Sequence, residues 1–367
     1  MSEFKSSSFR NEDNSGAPDI VGVSTFTSPY YFVPPSGTTA ERPSGDGLAP
    51  GMLRFNTDIG RLEVWRGDHW ATILGESPDL NGGARGVFGG GSPGGSSNTI
   101  DYVTISSTGN ALDFGDLTVP RNEIGACASS TRGLFGSGWD GVNRSNVIDY
   151  ITISSIANAF DFGDLTAGRS GASSLSNSTR GIWAGGFPNT NIIDYVTIAS
   201  QGVNAQDFGD LTFDRYGLAA CSSPTRGLFN GSSTPTQRNV VDFITISTLG
   251  NAQDFGDLFT GRYYPAACSS PIRAIFSGGQ STTAIEYLTI STLGNAAKFG
   301  DLSAAVLGHA GCSSPTRGLF AGGSAPTATN VIEYVTIAST GNAVDFGDLT
   351  RTNTSFFSAC SNAHGGL

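Results

Sequence analysis

The chain has 367 residues, 51 of them glycine, and only 14% are charged, against about 7% glycine and about 25% charge in an ordinary soluble domain. Its 31 acidic and 20 basic side chains leave a net charge of −11, which disfavours nucleic acid and anionic membrane surfaces as partners. Abundant Gly, Ser, Thr, Val and Ile, with little Lys, Glu or Leu, point to strands and turns rather than helices.

The opening MSEFKSSSFRNEDNSG lacks the apolar stretch of a secretory signal. No run approaches the ~18 consecutive apolar residues of a membrane helix. Synthesis in a cytoplasm without membrane insertion is therefore expected. Residues 1–50 are rich in Ser, Gly, Pro, Asn and Thr and read as an extended arm. Residues 51–80 read as a separate small module. Apolar and polar residues alternate over 51–74 across two turn signals, Asp58-Ile59-Gly60 and Arg66-Gly67-Asp68, giving a short β-meander. So few residues cannot bury Phe55, Trp65 and Trp70 together, which makes these three candidate anchors for a partner surface.

The remainder, 81–367, is periodic. Phe-Gly-Asp recurs at Phe114, Phe162, Phe208, Phe255, Phe299 and Phe346, every 44–48 residues. An arginine recurs in step at Arg85, Arg132, Arg180, Arg226, Arg273 and Arg317. Each unit holds four short strand candidates: Arg-Gly-Leu-Phe, a β-branched Val-Ile-Asp-Tyr-Val-Thr-Ile segment, Asp-Phe-Gly-Asp, and Ala-Ala-Cys-Ser. Four strands per unit of this length are a propeller blade. The matched arginines and aspartates (Asp116, Asp164, Asp210, Asp257, Asp301 and Asp348) suggest one charge-assisted pair per blade. The five cysteines, Cys127, Cys221, Cys268, Cys312 and Cys360, fall one per unit, and Leu175 stands at the sixth equivalent position. A site that accepts leucine is an apolar packing site, so free buried thiols are expected.

The repeats resemble those of the kelch family. They share the Gly-Gly pairs (Gly185-Gly186, Gly278-Gly279, Gly322-Gly323) and the second-strand tyrosines (Tyr102, Tyr150, Tyr195, Tyr287, Tyr334), but carry Phe114 and its equivalents where kelch repeats carry Trp. The resemblance implies an all-β, six-bladed propeller in which Ala-Ala-Cys is the innermost strand of the following blade. Residues 356–362 would then supply the missing strand of the first blade and close it. The 51–74 segment in turn resembles β-hairpin modules near the N-termini of bacteriophage tail-fibre and other virion proteins, through Gly51, Met52, Arg54, Phe55, Asn56, Thr57, Asp58, Glu63, Trp65 and Trp70. The repeat style is similar to that of structural proteins of marine phages.

No catalytic constellation stands out. The Asp-Phe-Gly triplets recur without a phosphate loop or catalytic loop, and no cofactor motif or paired Cys/His metal ligands occur. A catalytic carboxylate pair should break the repeat symmetry, whereas nearly every carboxylate here belongs to it. Calcium at the Asp-x-x-Asp turns is weakened by Lys298 in the fifth unit. A non-enzymatic role is expected. With kelch strand order, the Cys-Ser-Ser-Pro-Thr-Arg and Ser-Thr-x-Gly-Asn-Ala loops share one face and are nearly constant. The other two loop types share the opposite face and vary. There lie Trp139, Asp140, Arg144, Phe187, Thr236, Gln237, Arg238, Phe213, Tyr216, Tyr263 and Tyr264, the candidate recognition residues.

The resemblances imply a phage virion structural protein, a tail fibre or similar appendage. It would dock to other virion proteins through residues 1–80 and display the propeller to a host-surface glycan or protein, as a homo-oligomer or in multiple copies on a symmetric particle. The alternatives are a capsid decoration or tail-body subunit without a receptor, and a cellular kelch-type interaction module.

Overall fold

The computed structural model describes residues 34–367 except 46, 59–60, 73–83, 93, 233–237, 281, 325–326 and 352–354. Most of the expected arm, and Thr236 and Gln237, lie outside the described residues. The chain divides into two compact units, Met1–Ser77 and Pro78–Leu367. All described regular structure is β, in seven four-stranded sheets.

The N-terminal unit holds one of them. Leu53–Asn56, Arg61–Trp65 and Trp70–Thr72 run antiparallel, and Ser36–Gly37 pairs parallel to Leu53–Asn56. The alternation expected from the sequence is present, but its burial is inverted. Arg54, Asn56 and Glu63 are buried, whereas Met52, Leu53, Phe55 and Leu62 are exposed. Glu63 accepts from Arg54 Nη1 at 3.0 Å and Asn56 Nδ2 at 3.1 Å, and also pairs with Arg42. The hydrogen bond from Arg42 holds the Glu63 carboxyl below its ordinary range.

The second unit carries six sheets with the same antiparallel order. Their first strands are Gly125–Ala128, Ser173–Ser176, Ala219–Ser222, Ala266–Ser269, Ala310–Ser313 and Ser358–Ser361. Each is followed in its sheet by the Arg-Gly-Leu-Phe strand, the Val-Ile-Asp-Tyr strand and the Phe-Gly-Asp strand. The sheet that begins with Ser358–Ser361 continues with Arg85–Gly89, Ser97–Thr104 and Leu112–Arg121. The C-terminal strand thus completes the earliest sheet, as the kelch-like order implied. Successive first strands lie side by side, and Ser358–Ser361 borders Gly125–Ala128 as well as Ala310–Ser313.

The Phe-Gly-Asp motif joins each sheet to the next. Its phenylalanine is buried and meets the second-strand aromatic edge-on, as Phe114 meets Tyr102 at 5.8 Å. Its glycine lies where the next sheet's backbone comes close: a Cβ on Gly115 (φ +142°) would stand 2.7 Å from Ala157 O. Only glycine supplies both that φ and that clearance. The aspartate's backbone N–H then donates to the Asn Oδ1 of the neighbouring x-Asn-Ala loop (Asp116 to Asn158, 3.1 Å), a bond made at all six positions.

The expected Arg85–Asp116 type of pair does not form. Arg85, Arg132, Arg180, Arg226, Arg273 and Arg317 do bridge neighbouring sheets, but each donates to a backbone carbonyl: Ile153, Ile198, Ile246, Ile290, Ile337 and Ile105, at 2.5–3.0 Å. Each guanidinium also stacks on its own sheet's Tyr or Phe at 4.3–5.1 Å. With its flat face on a ring, the guanidinium has its edge free for an in-plane acceptor, and the carbonyl of the next sheet provides it.

The buried ion pairs lie elsewhere. Arg121–Asp149 (2.7 Å), Arg169–Asp194 (3.0 Å), Arg215–Asp242 (2.7 Å), Arg351–Asp101 (3.4 Å) and Arg262–Glu286 each join the segment that follows a Phe-Gly-Asp motif to the second strand of the next sheet. Burial pulls Arg215 down to about 10 despite the opposing field of Asp242. Such pairs add little net stability, yet breaking one leaves a buried charge and costs about 3–5 kcal/mol. They fix the path of the linkers.

All five cysteines are free and buried. A Cβ on Gly181, Gly133 or Gly318 would lie 2.5–3.1 Å from Cys127, Cys360 or Cys268 Sγ of the adjoining sheet, and Leu175 meets Gly227 in the same way. Burial raises Cys221 and Cys360 to about 12. These thiols are packing groups.

Candidate functional site

Four residues before each cysteine or its Leu175 equivalent, the linker turns into its sheet. These positions are Glu123, Gly171, Gly217, Tyr264, Gly308 and Phe356, all with φ between 50° and 69°. Their backbones form a hydrogen-bond circuit. Glu123 N–H donates to Phe356 O (2.7 Å), Phe356 to Gly308 (2.6 Å), Gly308 to Tyr264 (3.0 Å), Tyr264 to Gly217 (2.8 Å), Gly217 to Gly171 (2.9 Å), and Gly171 back to Glu123 (2.8 Å). Glycine occupies the left-handed region freely, whereas an L side chain there costs about 1–2 kcal/mol per residue. Glu123, Tyr264 and Phe356 bear that cost.

The three side chains sit together. Tyr264 Oη donates to Glu123 Oε1 at 2.8 Å, and the Tyr264 ring meets Phe356 edge-on at 5.0 Å. Burial, then the Glu123 carboxylate, raises the Tyr264 phenol above its ordinary value, so it stays a donor. Beyond them lies an open hollow of about 650 Å³, lined by Trp139, Arg144, Phe187, Tyr216, Tyr263 and Tyr264 together with Ser92, Asn122, Glu123, Ser170 and Phe356. The aromatic rings form a continuous series: Phe187 to Tyr216 at 5.3 Å, Tyr216 to Tyr264 at 6.3 Å, Tyr263 to Tyr264 at 5.6 Å. Arg144 stacks between Phe187 (4.3 Å) and Trp139 (5.5 Å).

Six of the nine described residues expected to mark the recognition face therefore line one hollow, although they come from separate linkers. The other three do not. Asp140 Oδ1 accepts the Val142 and Asn143 N–H groups of its own turn at 2.7 and 2.6 Å, which lowers its pKa. Phe213 stacks between Arg215 (4.5 Å) and Arg238 (4.6 Å). Glu123, Phe356, Asn122, Ser92 and Ser170 were not foreseen. Only the recurrence of glycine four residues before the cysteine signalled the first two.

The space between the six first strands is narrow, about 120 Å³. At the end away from the hollow, serine hydroxyls relay along these strands: Ser361 to Ser313 O, Ser313 to Ser269 O, Ser269 to Ser222 O, Ser222 to Ser176 O and Ser176 to Ala128 O, at 2.5–2.7 Å. The relay has no hydroxyl at Ala128. His364 stands there instead, its Nε2 at 2.8 Å from Ala128 O and 3.2 Å from Ser176 Oγ. The hollow, not this narrow space, has room for a ligand.

In the N-terminal unit, Phe55 is exposed while Trp65 and Trp70 are half-buried. Trp65 and Trp70 pack together at 5.6 Å, and Trp70 Nε1 donates to Pro43 O at 3.0 Å. Phe55 shares its exposed face with Leu53 and Leu62, and Met52 is exposed just before the strand. No protein-family model and no curated protein matches the chain.

Proposed function

We propose that the six sheets are the blades of one closed propeller, and that the chain is a virion structural protein, a tail fibre or similar appendage of a phage. In this reading the N-terminal unit attaches to the particle and the propeller is presented to a host-surface glycan or protein. Closure is supported by three relays that return to their start: the linker hydrogen bonds, the arginine-to-carbonyl contacts ending at Ile105, and the Asp-to-Asn bonds ending at Asn110. Attachment is supported by the exposed Leu53, Phe55 and Leu62 face, with Met52 exposed beside the strand, apolar surface that a partner would cover.

The observation that carries recognition is the hollow itself. Six aromatic side chains and one stacked arginine converge on a single concavity, and three of its floor residues hold a left-handed backbone that glycine would adopt without cost. Strain of this kind is kept where a side chain is needed. Aromatic walls with a few polar groups suit a ring with one apolar and one hydroxylated face, as a pyranose has.

Replacing Trp139, Tyr216 and Tyr263 by alanine in the full chain tests this reading, since none of the three belongs to the hydrogen-bond circuit. Aromatic anchors of this kind carry about 2 kcal/mol or more each. The triple variant should melt like the parent yet lose adsorption to host cells more than tenfold. Equal adsorption by both proteins would remove the receptor role.

A further inference from the structure

The buried arginine–carboxylate pair forms in five sheets and is broken in the sixth. In the sheet that begins with Ala310–Ser313 the carboxylate is Glu333, buried at 9% exposure, with the Ser303 N–H donated to it at 3.0 Å. The arginine that should meet it is absent. Arg121, Arg215 and Arg262 stand six residues before Cys127, Cys221 and Cys268, but Val306 stands six residues before Cys312. Among the described residues no cation pairs with Glu333.

The rest of the arginine's receptor is intact. Arg262 donates to Gly278 O and Ala284 O, each at 3.1 Å, besides pairing with Glu286. Gly322 and Val331 occupy the equivalent positions here, and both line a cavity of about 390 Å³ with Glu333, Val306 and Phe320. His309 also lines it. This imidazole is 4% exposed, its Nε2 lies 2.9 Å from Ser277 Oγ, and its Nδ1 has no partner. With Nε2–H given to Ser277, Nδ1 is a further acceptor. Ser303, Thr327, Thr329 and Asn330 complete the polar part of the lining.

We propose that this cavity binds a guanidinium group supplied from outside the chain, with Glu333 as its counter-ion and Val306 and Phe320 against its stem. Five copies of the same frame already hold a guanidinium between one carboxylate and the neighbouring carbonyls. A planar fork of N–H donors matches that acceptor set, and a spherical ammonium does not. The group can come from a small guanidino compound or from an arginine of another protein.

Calorimetric titration of the full chain with methylguanidinium tests the site, with methylammonium and the peptide acetyl-Gly-Arg-Gly-amide as further arms. Saturable binding of methylguanidinium, at concentrations below those that unfold the protein, is expected. Binding of the peptide as well would identify a protein-borne arginine as an admissible source, and its exclusion would restrict the site to small molecules. Glu333→Gln should weaken methylguanidinium about tenfold or more. Val306→Arg should abolish its binding and raise the melting temperature, because the chain then supplies its own guanidinium. If Val306→Arg does not fold, Glu333→Gln decides. No saturable binding by the parent, equal binding of methylammonium, or undiminished binding by Glu333→Gln would each overturn the proposal.

Discussion

Trp183 is the one tryptophan at a position where the other five sheets carry Phe88, Phe135, Phe229, Phe276 and Phe320. It is fully buried and lies over the cross-strand pair Gly125–Gly136 of the adjoining sheet, its Nε1 donating to Gly125 O at 3.2 Å. A Cβ on Gly136 would stand 2.8 Å from Trp183 Nε1 and 2.9 Å from Cε2. Overpacking of this kind costs about 1–3 kcal/mol, offset by about 0.4–1 kcal/mol from the smaller entropy of the unfolded chain. Gly136→Ala should therefore destabilise by about 1–2 kcal/mol, or roughly 2–8 °C in a domain of this size. Trp183→Phe should restore the space, so the double variant should be more stable than the sum of the single changes by at least about 0.5 kcal/mol. Thermal melts of the four proteins give the coupling directly. Strictly additive effects, or a Gly136→Ala protein as stable as the parent, would refute the claim that the glycine pair exists to seat the tryptophan.

Ending the chain at Ser355 removes the strand Ser358–Ser361 that pairs with Arg85–Gly89 and exposes an edge; light scattering should show aggregation, and a truncated protein as stable as the parent would contradict the strand's role. Burial holds His309 down at about 3, against about 6.5 in an unfolded chain. The unfolded state takes up the proton first, so this contribution is complete above about pH 6.5 and fades as pH falls toward 3. Melts of His309→Gln across that window should show a shallower acid dependence than the parent, and an unchanged slope would assign the dependence to other groups.

The period and the four strands per unit could be read from the sequence because they rest on local signals: β-branched runs, turn glycines and a cysteine position that tolerates Leu175; the order within each sheet followed only from the kelch resemblance. The partners of the recurrent charges could not. Arg85 and Asp116 recur in equal number, but a stacked guanidinium meets a carbonyl from the next sheet, and the aspartate contributes its backbone N–H. Periodicity shows that a residue is required without showing which atom is used. Arg121 and Asp149 form one of the buried pairs, yet they lie in the variable segment after a Phe-Gly-Asp motif and inside an apolar strand, where nothing in spacing couples them. That aromatic residues of separate linkers gather at one hollow was legible in part, because they concentrate in the variable linkers. Glu123 and Phe356 were not, because their left-handed backbone is marked only indirectly, by the glycines at the equivalent positions 171, 217 and 308. The 51–74 meander was legible as strands, but alternation does not say which face is buried, and here Arg54 and Glu63 take the inside.

Cryo-electron microscopy of the assembled particle tests the central claim most directly. The account predicts density for the N-terminal unit, with Phe55 and Leu62 covered, against another particle protein, and a six-bladed disc whose face bearing Trp139, Tyr216 and Tyr263 opens to solvent. A disc whose hollow is buried against a neighbouring subunit would contradict it.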